Sequence, residues 1–185
     1  MTVKVHPEVP LALGFLHFSG APSEAHWQAI AAYNAITSDW TNSRAFATTL
    51  YNNVSFSITP LAVVNKTETE LRVMILPLLD SLNDLNIQYN FSIRSGLRYL
   101  DASWILAETF STVGDVLIGS RMLPRSLLAN ESGVASALGA LKEIVEAGLS
   151  VSDFALELPT RRDRDIRNAV LPAWREMQRH VLTTL

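Results

Sequence analysis

The feature that most constrains the fold is a change of period within residues 67–93, where a helical pattern gives way to an alternating one. Thr67 and Glu70 form a Thr-x-x-Glu capping box, which is typical of a helix N-terminus. Apolar residues then recur at helical spacing, at Leu71, Met74, Ile75, Leu78, Leu79 and Leu82. Between Ile87 and Ile93 every second residue is apolar, which predicts a strand with one buried face. A helix and a strand of this kind must cover a common core, so the segment predicts a helix packed on a sheet.

Similar patterns extend this arrangement over the rest of the chain. Strands are predicted at residues 3–9, 11–18, 45–64, 87–93, 116–123 and 154–158. Residues 45–64 form either one bent strand or two, broken near Asn52–Asn53 or at Pro60. Further helices are predicted to begin at Ser23, Trp104 and Ser132. Because several strands follow one another directly, we expect an α+β fold, a mainly antiparallel β-sheet with helices packed on one face.

Length and composition bound the class of protein. The chain has 185 residues, of which 48% are hydrophobic, so we expect residues 1–185 to form a single domain. The net charge of −3 argues against a nucleic-acid partner, because phosphate contacts need a basic surface. No apolar run approaches the roughly 20 residues of a membrane span and no signal-peptide pattern is present, so the expected location is the cytoplasm. Four glycosylation sequons leave a secreted ancestor as an alternative, at Asn53, Asn65, Asn90 and Asn130.

The sequence contains no cysteine, which excludes disulfides, thiolate metal sites and thiol nucleophiles. No His-x-x-x-His, Ser-His-Asp or paired-carboxylate pattern is recognisable either. We therefore predict no metal site.

Three segments carry a family resemblance. Residues 118–126, Ile-Gly-Ser-Arg-Met-Leu-Pro-Arg-Ser, are similar to the GSRLIPRS segment of fungal FAD-linked oxidases related to berberine bridge enzyme. Residues 168–175, Asn-Ala-Val-Leu-Pro-Ala-Trp-Arg, are similar to the NAVNPAWR segment of the same family. The start, Val3-Lys-Val-His-Pro7, resembles the point at which that family's chain enters its substrate domain. From about Val3 to about Val181 the chain thus resembles the substrate-binding domain of this vanillyl-alcohol-oxidase-like superfamily.

The resemblance implies a division of labour between two domains. In the family, the substrate domain is an antiparallel sheet backed by helices, and its open face covers the flavin ring with substrate between them. A separate flavin domain holds FAD, in part through a covalently bound His and Cys, and the present sequence has no cysteine. The resemblance therefore implies no cofactor-binding residue in this chain, with FAD present only if a separate partner subunit supplies it.

The segment 169–181 allows two structures. The resemblance implies a strand that leads toward the flavin face. The spacing of Trp174, Met177 and Val181 instead fits a helix, with Pro172 in its first turn. We favour the strand.

An open sheet face needs cover, because large exposed apolar patches usually mark interfaces. We expect a homodimer or a heterodimer that forms through this face. The favoured function is flavin-independent cyclase or isomerase chemistry on an apolar secondary metabolite, by a small biosynthetic enzyme derived from such a substrate domain. The alternative is a non-catalytic substrate-binding subunit or a fragment of a split FAD-dependent oxidoreductase.

Cyclisation or isomerisation needs a shaped pocket and one or two proton-transfer groups. The catalytic candidates are His17, Tyr51 and Tyr89, because histidine titrates near neutrality and a tyrosine hydroxyl can donate to a carbonyl oxygen. The substrate-binding candidates are aromatic rings that can stack on a ligand and arginines that can polarise a carbonyl or bind a carboxylate, namely Phe91, Trp104, Arg121, Trp174 and Arg175. Each has a structural alternative, since rings pack in cores and arginines tie strands or caps together.

Overall fold

The computed structural model describes residues 7–21, 23–107, 117–157 and 171–184. Its strands are β1 (Leu11–Ser19), β2 (Phe46–Tyr51), β3 (Ser55–Val64), β4 (Tyr89–Leu97), β5 (Ile118–Pro124), β6 (Ser150–Ala155) and β7 (Met177–Thr184). Its helices are α1 (Ser23–Asn42), α2 (Glu68–Asp84), α3 (Tyr99–Ala107), α4 (Arg125–Leu128), α5 (Glu131–Glu146) and α6 (Ala173–Glu176).

The seven strands form one sheet in the order β4-β1-β3-β2-β6-β7-β5, and every neighbouring pair is antiparallel. Together with the helices, this sheet confirms the predicted α+β class. The hairpin from β2 to β3 turns at Asn52, so residues 45–64 form two strands. The Asn52 side chain accepts hydrogen bonds from the backbone N–H groups of Val54 and Ser55, which closes the turn.

Helix α2 and strand β4 form as the change of period predicts. The Thr67 hydroxyl accepts a hydrogen bond from the Glu70 backbone N–H, and the Glu70 carboxylate accepts one from the Thr67 backbone N–H. The helix buries Leu71, Ile75, Leu78, Leu79 and Leu82. Gly14 lets α2 come close to β1, because a Cβ at that position would lie 2.9 Å from a Leu71 methyl group.

Helices α1, α2 and α5 cover one face of the sheet and bury the main core. Along β1, Ala12, Leu16 and Phe18 face this core. The odd-numbered residues of β1 point to the other face, as the alternation of a strand requires. There, Leu11 and Leu13 pack with Ala102 of α3 in a second, smaller cluster. Helix α3 therefore covers one end of β1 on the face that the other helices leave free.

The remaining predictions differ from the structure mainly at element boundaries. The predicted first strand is not formed by residues 7–9, since Pro7 and Pro10 lack the N–H that a ladder needs, and residues 3–6 lie outside the described residues. Strand β6 starts and ends earlier than the predicted 154–158. Helix α3 starts earlier than the predicted 104–110, and residues 108–110 lie outside the description. Within the described ranges, no helix is long and apolar enough to span a bilayer.

Candidate functional site

The face of the sheet opposite α1, α2 and α5 is called the open face below. Cross-strand partners point to the same side of an antiparallel sheet, so the register defines which residues share this face. One row runs across the strands through Asn90, His17, Ser57, Leu50, Ser152, Leu182 and Ser120. Leu50, near the middle of the row, is 49% exposed. The open face is thus a mixed surface of small polar and apolar side chains.

His17 lies on the open face, where β1 pairs with β3 and β4. Its Nδ1 atom is 2.9 Å from the Ser57 Oγ, and Asn90 lies directly opposite it on β4. The imidazole is exposed, so a ligand on the open face can reach it. The bond to Ser57 engages Nδ1 and leaves Nε2 as the ring nitrogen that a ligand can reach.

A second feature of the open face is a cavity of about 380 Å³ near its β7 end. We call it the aromatic pocket; its walls are Phe46, Phe154, Leu156, Trp174, His180 and Leu182. The His180 ring lies 5.2 Å from the Trp174 ring at 68°, and 6.4 Å from the Phe154 ring at 38°. The rings therefore stand at angles to one another and form walls, rather than closing on one another as a stack.

His17 and the aromatic pocket are well separated on this face. Strand β7 lies four places from β1 in the sheet, and the row that contains His180 is offset by two residues from the row of His17. With strands spaced roughly 4.8 Å apart, the two histidines lie about 20 Å from each other. A ligand that contacts both must be elongated.

The other two proton-transfer candidates do not share the open face with His17. Tyr51 is fully buried in the main core beneath α1. Burial, with the nearby charge of Asp153, raises the pKa of Tyr51 above its ordinary value, which keeps the hydroxyl protonated. Tyr89 is half-buried on β4 and packs against the main core on the helix side of the sheet.

The substrate-binding candidates are also divided between faces. Trp174, in α6, lines the aromatic pocket. Phe91 packs on the helix side, where Arg72 of α2 lies 5.7 Å from its ring centroid. Arg121 is exposed on the edge strand β5 and pairs with the core residue Val181, which puts it on the helix side as well.

The structure gives less detail about the last two candidates, Arg175 and Trp104. Arg175 lies half-buried in α6. Trp104 lies in α3, and its side chain is outside the described residues. The segment 169–181, for which the sequence allowed a helix or a strand, contains one of each. Helix α6 is a single turn around Trp174, and strand β7 follows it directly. The favoured strand thus forms from Met177 onward, and residues 169–170 lie outside the description.

Directly behind the aromatic pocket, on the helix side, lies a buried charged cluster. Arg179 is 1% exposed and donates from Nε to Asp153 Oδ2 at 2.9 Å. Arg179 Nη2 also donates to Asp153, and Nη1 donates to Asn34 of α1. The Tyr33 hydroxyl of α1 donates to Asp153 Oδ2 at 3.1 Å. Burial opposes the charge on Arg179, but the charge of Asp153 and the hydrogen bonds to it, together with the nearby Tyr33 and Tyr51, raise the arginine pKa.

Sequence reasoning missed most residues of the aromatic pocket. Phe154 and Leu156 stand in a segment predicted as a strand, but their face could not be assigned. The sequence also does not show which face His180 lies on, because a one-residue change of register reverses every side chain of a strand. The alternation of His180 and Leu182 with Arg179 and Val181 is the available signal, and the charge of Arg179 hides it.

Comparison with known proteins identifies relatives of the chain. The chain is 31% identical over 186 residues to the FAD-linked oxidoreductase patO of Aspergillus clavatus, which covers 98% of this chain and 32% of that protein. The chain is a relative of the fungal FAD-linked oxidoreductases. It is also 26% identical over 184 residues to the bifunctional decalin synthase calF of Penicillium decumbens, covering 95% of this chain and 32% of that protein. The chain spans about a third of the length of these curated relatives.

A solved structure of this class has the same fold. The VAO-type flavoprotein MtVAO615 from Myceliophthora thermophila superposes with a TM-score of 0.76 at 19% identity, over 98% of this chain and 33% of that one. The resemblance to vanillyl-alcohol-oxidase-type flavoproteins is thus confirmed at the level of the fold. No family model matches the chain.

The residues that the structure describes are better suited to contact a ring of a ligand than to bind a dinucleotide. Phosphates are commonly held by free N–H groups at a helix N-terminus that follows a glycine-rich loop. The N-termini of α2 and α5 are capped by their own residues, Thr67 with Glu70 and Asn130, and the sequence contains no Gly-x-Gly. Among the described residues there is also no cluster of three His, Asp or Glu that could hold a metal ion. We therefore derive no reaction step through FAD from these residues.

Proposed function

We propose that this chain is the substrate-binding part of an FAD-linked oxidoreductase that acts in the biosynthesis of a small apolar natural product. The open face takes the substrate, and FAD is held by residues beyond this sequence, on the same polypeptide or on a partner subunit. The names of the relatives support an FAD-linked role, and the chain matches only a third of each of them.

The observation that carries the proposal is the contrast between the two faces of the sheet. One face is filled by three helices and a buried charged cluster, while the other presents the aromatic pocket and the exposed His17. Clefts with apolar walls and a few polar groups are the usual sites for small ligands. A ligand on this sheet therefore binds at the open face.

The residues of the open face orient the substrate and move protons. FAD, if bound against this face by residues outside this sequence, would supply the acceptor for two electrons. Trp174 and Phe154 hold an apolar part of the substrate, and their ring planes limit its orientation. His17 accepts or donates a proton at Nε2, with Nδ1 engaged by Ser57.

A second candidate is cyclisation without flavin chemistry at this face. The relative calF is named a bifunctional decalin synthase, and a cyclisation needs only a shaped pocket with a proton-transfer group. A protein depleted of FAD that forms a cyclised product at an undiminished rate favours this second candidate. Loss of all product on FAD removal favours the first.

The absence of cysteine allows a direct test of which face is covered. Leu50→Cys introduces one thiol on the open face, and Val73→Cys introduces one on the outer side of α2; the native side chains are 49% and 64% exposed. In the FAD-loaded holoenzyme we expect a maleimide to label Leu50→Cys at least tenfold more slowly than Val73→Cys. Similar exposure makes Val73→Cys a matched control.

Equal labelling of the two thiols contradicts the proposal, because an open face that meets a flavin-bearing domain cannot remain accessible. A second copy of the chain is the other occupant consistent with the expected dimer. Protection of Leu50→Cys that rises with the concentration of a flavin-free chain identifies this homodimer and contradicts the FAD-bearing occupant.

A further inference from the structure

The walls of the aromatic pocket carry almost no polarity. Phe46, Phe154, Leu156 and Leu182 are hydrocarbon, and Trp174 and His180 add two rings. None of the six is Asp, Glu, Lys or Arg. An anion inside such walls loses its hydration, faces the negative faces of aromatic rings and has only His180 as a partner, and that is costly. The pocket therefore favours an uncharged group over an anion.

The volume of the pocket, which is partly open to solvent, indicates the size of the portion of a ligand that it contacts. At about 380 Å³, the cavity is near the lower end of ligand pockets in proteins. A water molecule takes up about 30 Å³ of the liquid, so a space of this size holds about a dozen non-hydrogen atoms. This is the size of a fused pair of six-membered rings.

The arrangement of the walls favours rings over a linear chain. Trp174 and Phe154 flank His180 at 68° and 38° to its plane, so an inserted ring meets both faces and edges of aromatic neighbours. Offset-stacked and edge-to-face contacts are the preferred geometries of aromatic pairs. His180 adds one nitrogen that can bond a single hydroxyl or carbonyl group.

We infer that the aromatic pocket binds an uncharged, two-ring hydrocarbon portion of the substrate that carries at most one or two neutral oxygen atoms. This inference rests on the proposed function in that it names the substrate class of the open face. Because the pocket lies about 20 Å from His17 across the strands, a substrate that uses both places has its ring portion far from the atom that exchanges a proton.

The test uses 2-naphthol as a neutral two-ring probe and 2-naphthoate as its charged counterpart, with binding to the protein followed by saturation-transfer NMR. We expect saturable binding of 2-naphthol and at least tenfold weaker binding of 2-naphthoate. Leu182→Trp fills the pocket and should weaken 2-naphthol binding at least tenfold. Phe154→Ala removes one wall and should weaken it as well, which covers the case in which Leu182→Trp perturbs folding.

Ala135→Trp is the matched control, because Ala135 lines a separate groove of about 650 Å³ between α1 and α5. We expect this variant to bind 2-naphthol within twofold of the unmodified protein. Loss of binding in Ala135→Trp with full binding in Leu182→Trp overturns the inference, as does tighter binding of 2-naphthoate or no saturable binding of 2-naphthol to the folded protein. The thiol-labelling test of the open face does not depend on 2-naphthol binding. The proposed function can therefore hold when the inference about substrate class fails.

Discussion

Strands β6 and β7 present opposite chemistry on their two faces. On the helix side, Asp153 and Arg179 form a fully buried ion pair with partners on α1. One residue further along each strand, Phe154 and His180 pair across the open face and line the aromatic pocket. Charge is thus in the interior and aromatic rings are at the surface, the reverse of the common distribution.

This reversal suggests what the buried pair does. Replacing a buried ion pair by apolar residues is often neutral for stability, and the best-attested role of such pairs is to fix register. A shift of β7 by one residue would carry Arg179 to the open face and His180 into the core. We therefore expect the buried charges to hold the register in which the aromatic pocket exists.

The largest effect is expected from breaking the pair on one side. Arg179→Met leaves the Asp153 carboxylate buried without its cation, so the free energy of unfolding should fall by about 3–5 kcal/mol. The double variant Asp153→Leu, Arg179→Met should recover most of this loss, because no buried charge remains. Urea unfolding measures both. If Arg179→Met is as stable as the double variant, the unpaired Asp153 carboxylate is not destabilising, and the expected role of the ion pair is wrong.

A smaller effect on stability is expected from the hydroxyl groups of two buried tyrosines, Tyr33 and Tyr51, which form a matched pair. The Tyr33 hydroxyl donates to Asp153, whereas the Tyr51 hydroxyl has no hydrogen-bond partner among the described residues. Tyr33→Phe should lower the free energy of unfolding by about 1–2 kcal/mol, and Tyr51→Phe by less than about 0.5 kcal/mol. Thermal unfolding of the two variants side by side makes the comparison. An equal loss in both shows that the Tyr51 hydroxyl has a partner of its own.

A pH dependence of stability is expected from His26, on the helix side of the sheet. His26 of α1 is buried, and its Nε2 bonds the Asn52 carbonyl oxygen at 2.7 Å. Burial lowers the pKa of His26 below its ordinary 6.5, and the bond to Asn52 only partly opposes this. The unfolded chain therefore takes up the proton first. Stability is complete above about pH 6.5 and declines as the pH falls below it.

His26→Gln keeps a donor for the Asn52 carbonyl and removes the titration. Its free energy of unfolding should change less between pH 7.5 and pH 5.5 than that of the unmodified protein, as urea titrations at the two values measure. A decline of the same size in both proteins assigns the pH dependence to other groups.

The smallest effect is expected on the open face. His17 is exposed and makes one hydrogen bond, to Ser57. His17→Ala should change the free energy of unfolding by less than about 0.5 kcal/mol, as surface substitutions usually do. If calorimetry shows a loss above about 1 kcal/mol, His17 serves the fold, and its proposed role in proton transfer loses its support.

The elements that were predictable from the sequence are those with local causes. The Thr67–Glu70 capping box and the apolar spacing after it specify α2 without knowledge of any neighbour. The alternation before Ile93 likewise specifies β4. The assignment of faces is different in kind, because Tyr51, Tyr89 and Phe91 stand in strands whose outward side depends on partners elsewhere in the sheet.

The candidate site was predictable only in part for the same reason. His17 and Trp174 lie on the open face, as the proposal of a ligand site there requires, while Tyr51 lies in the core. No local sequence pattern predicts that Arg179 is buried, because its partners, Asp153 on β6 and Asn34 on α1, lie far from it in the sequence. A charged residue in a strand favours an exposed position, and this one is buried only because distant residues complete its hydrogen bonds.

The order of strands in the sheet also bears on how the chain assembles during synthesis. Residues 11–97 supply β4, β1, β3 and β2, and residues 118–184 supply the other strands. Within the described sheet, the only strand pairing between these two sets is that of β2 with β6, from Ala47 opposite Ala155 to Tyr51 opposite Val151. Four strands can therefore assemble while the ribosome is still adding the later ones. Until β6 emerges, the uncharged edge of β2, Phe46-Ala-Thr-Thr-Leu-Tyr51, is an unpaired template for other chains. A nascent chain that stalls or is cut before residue 150 thus leaves this edge of β2 open to pairing with other chains.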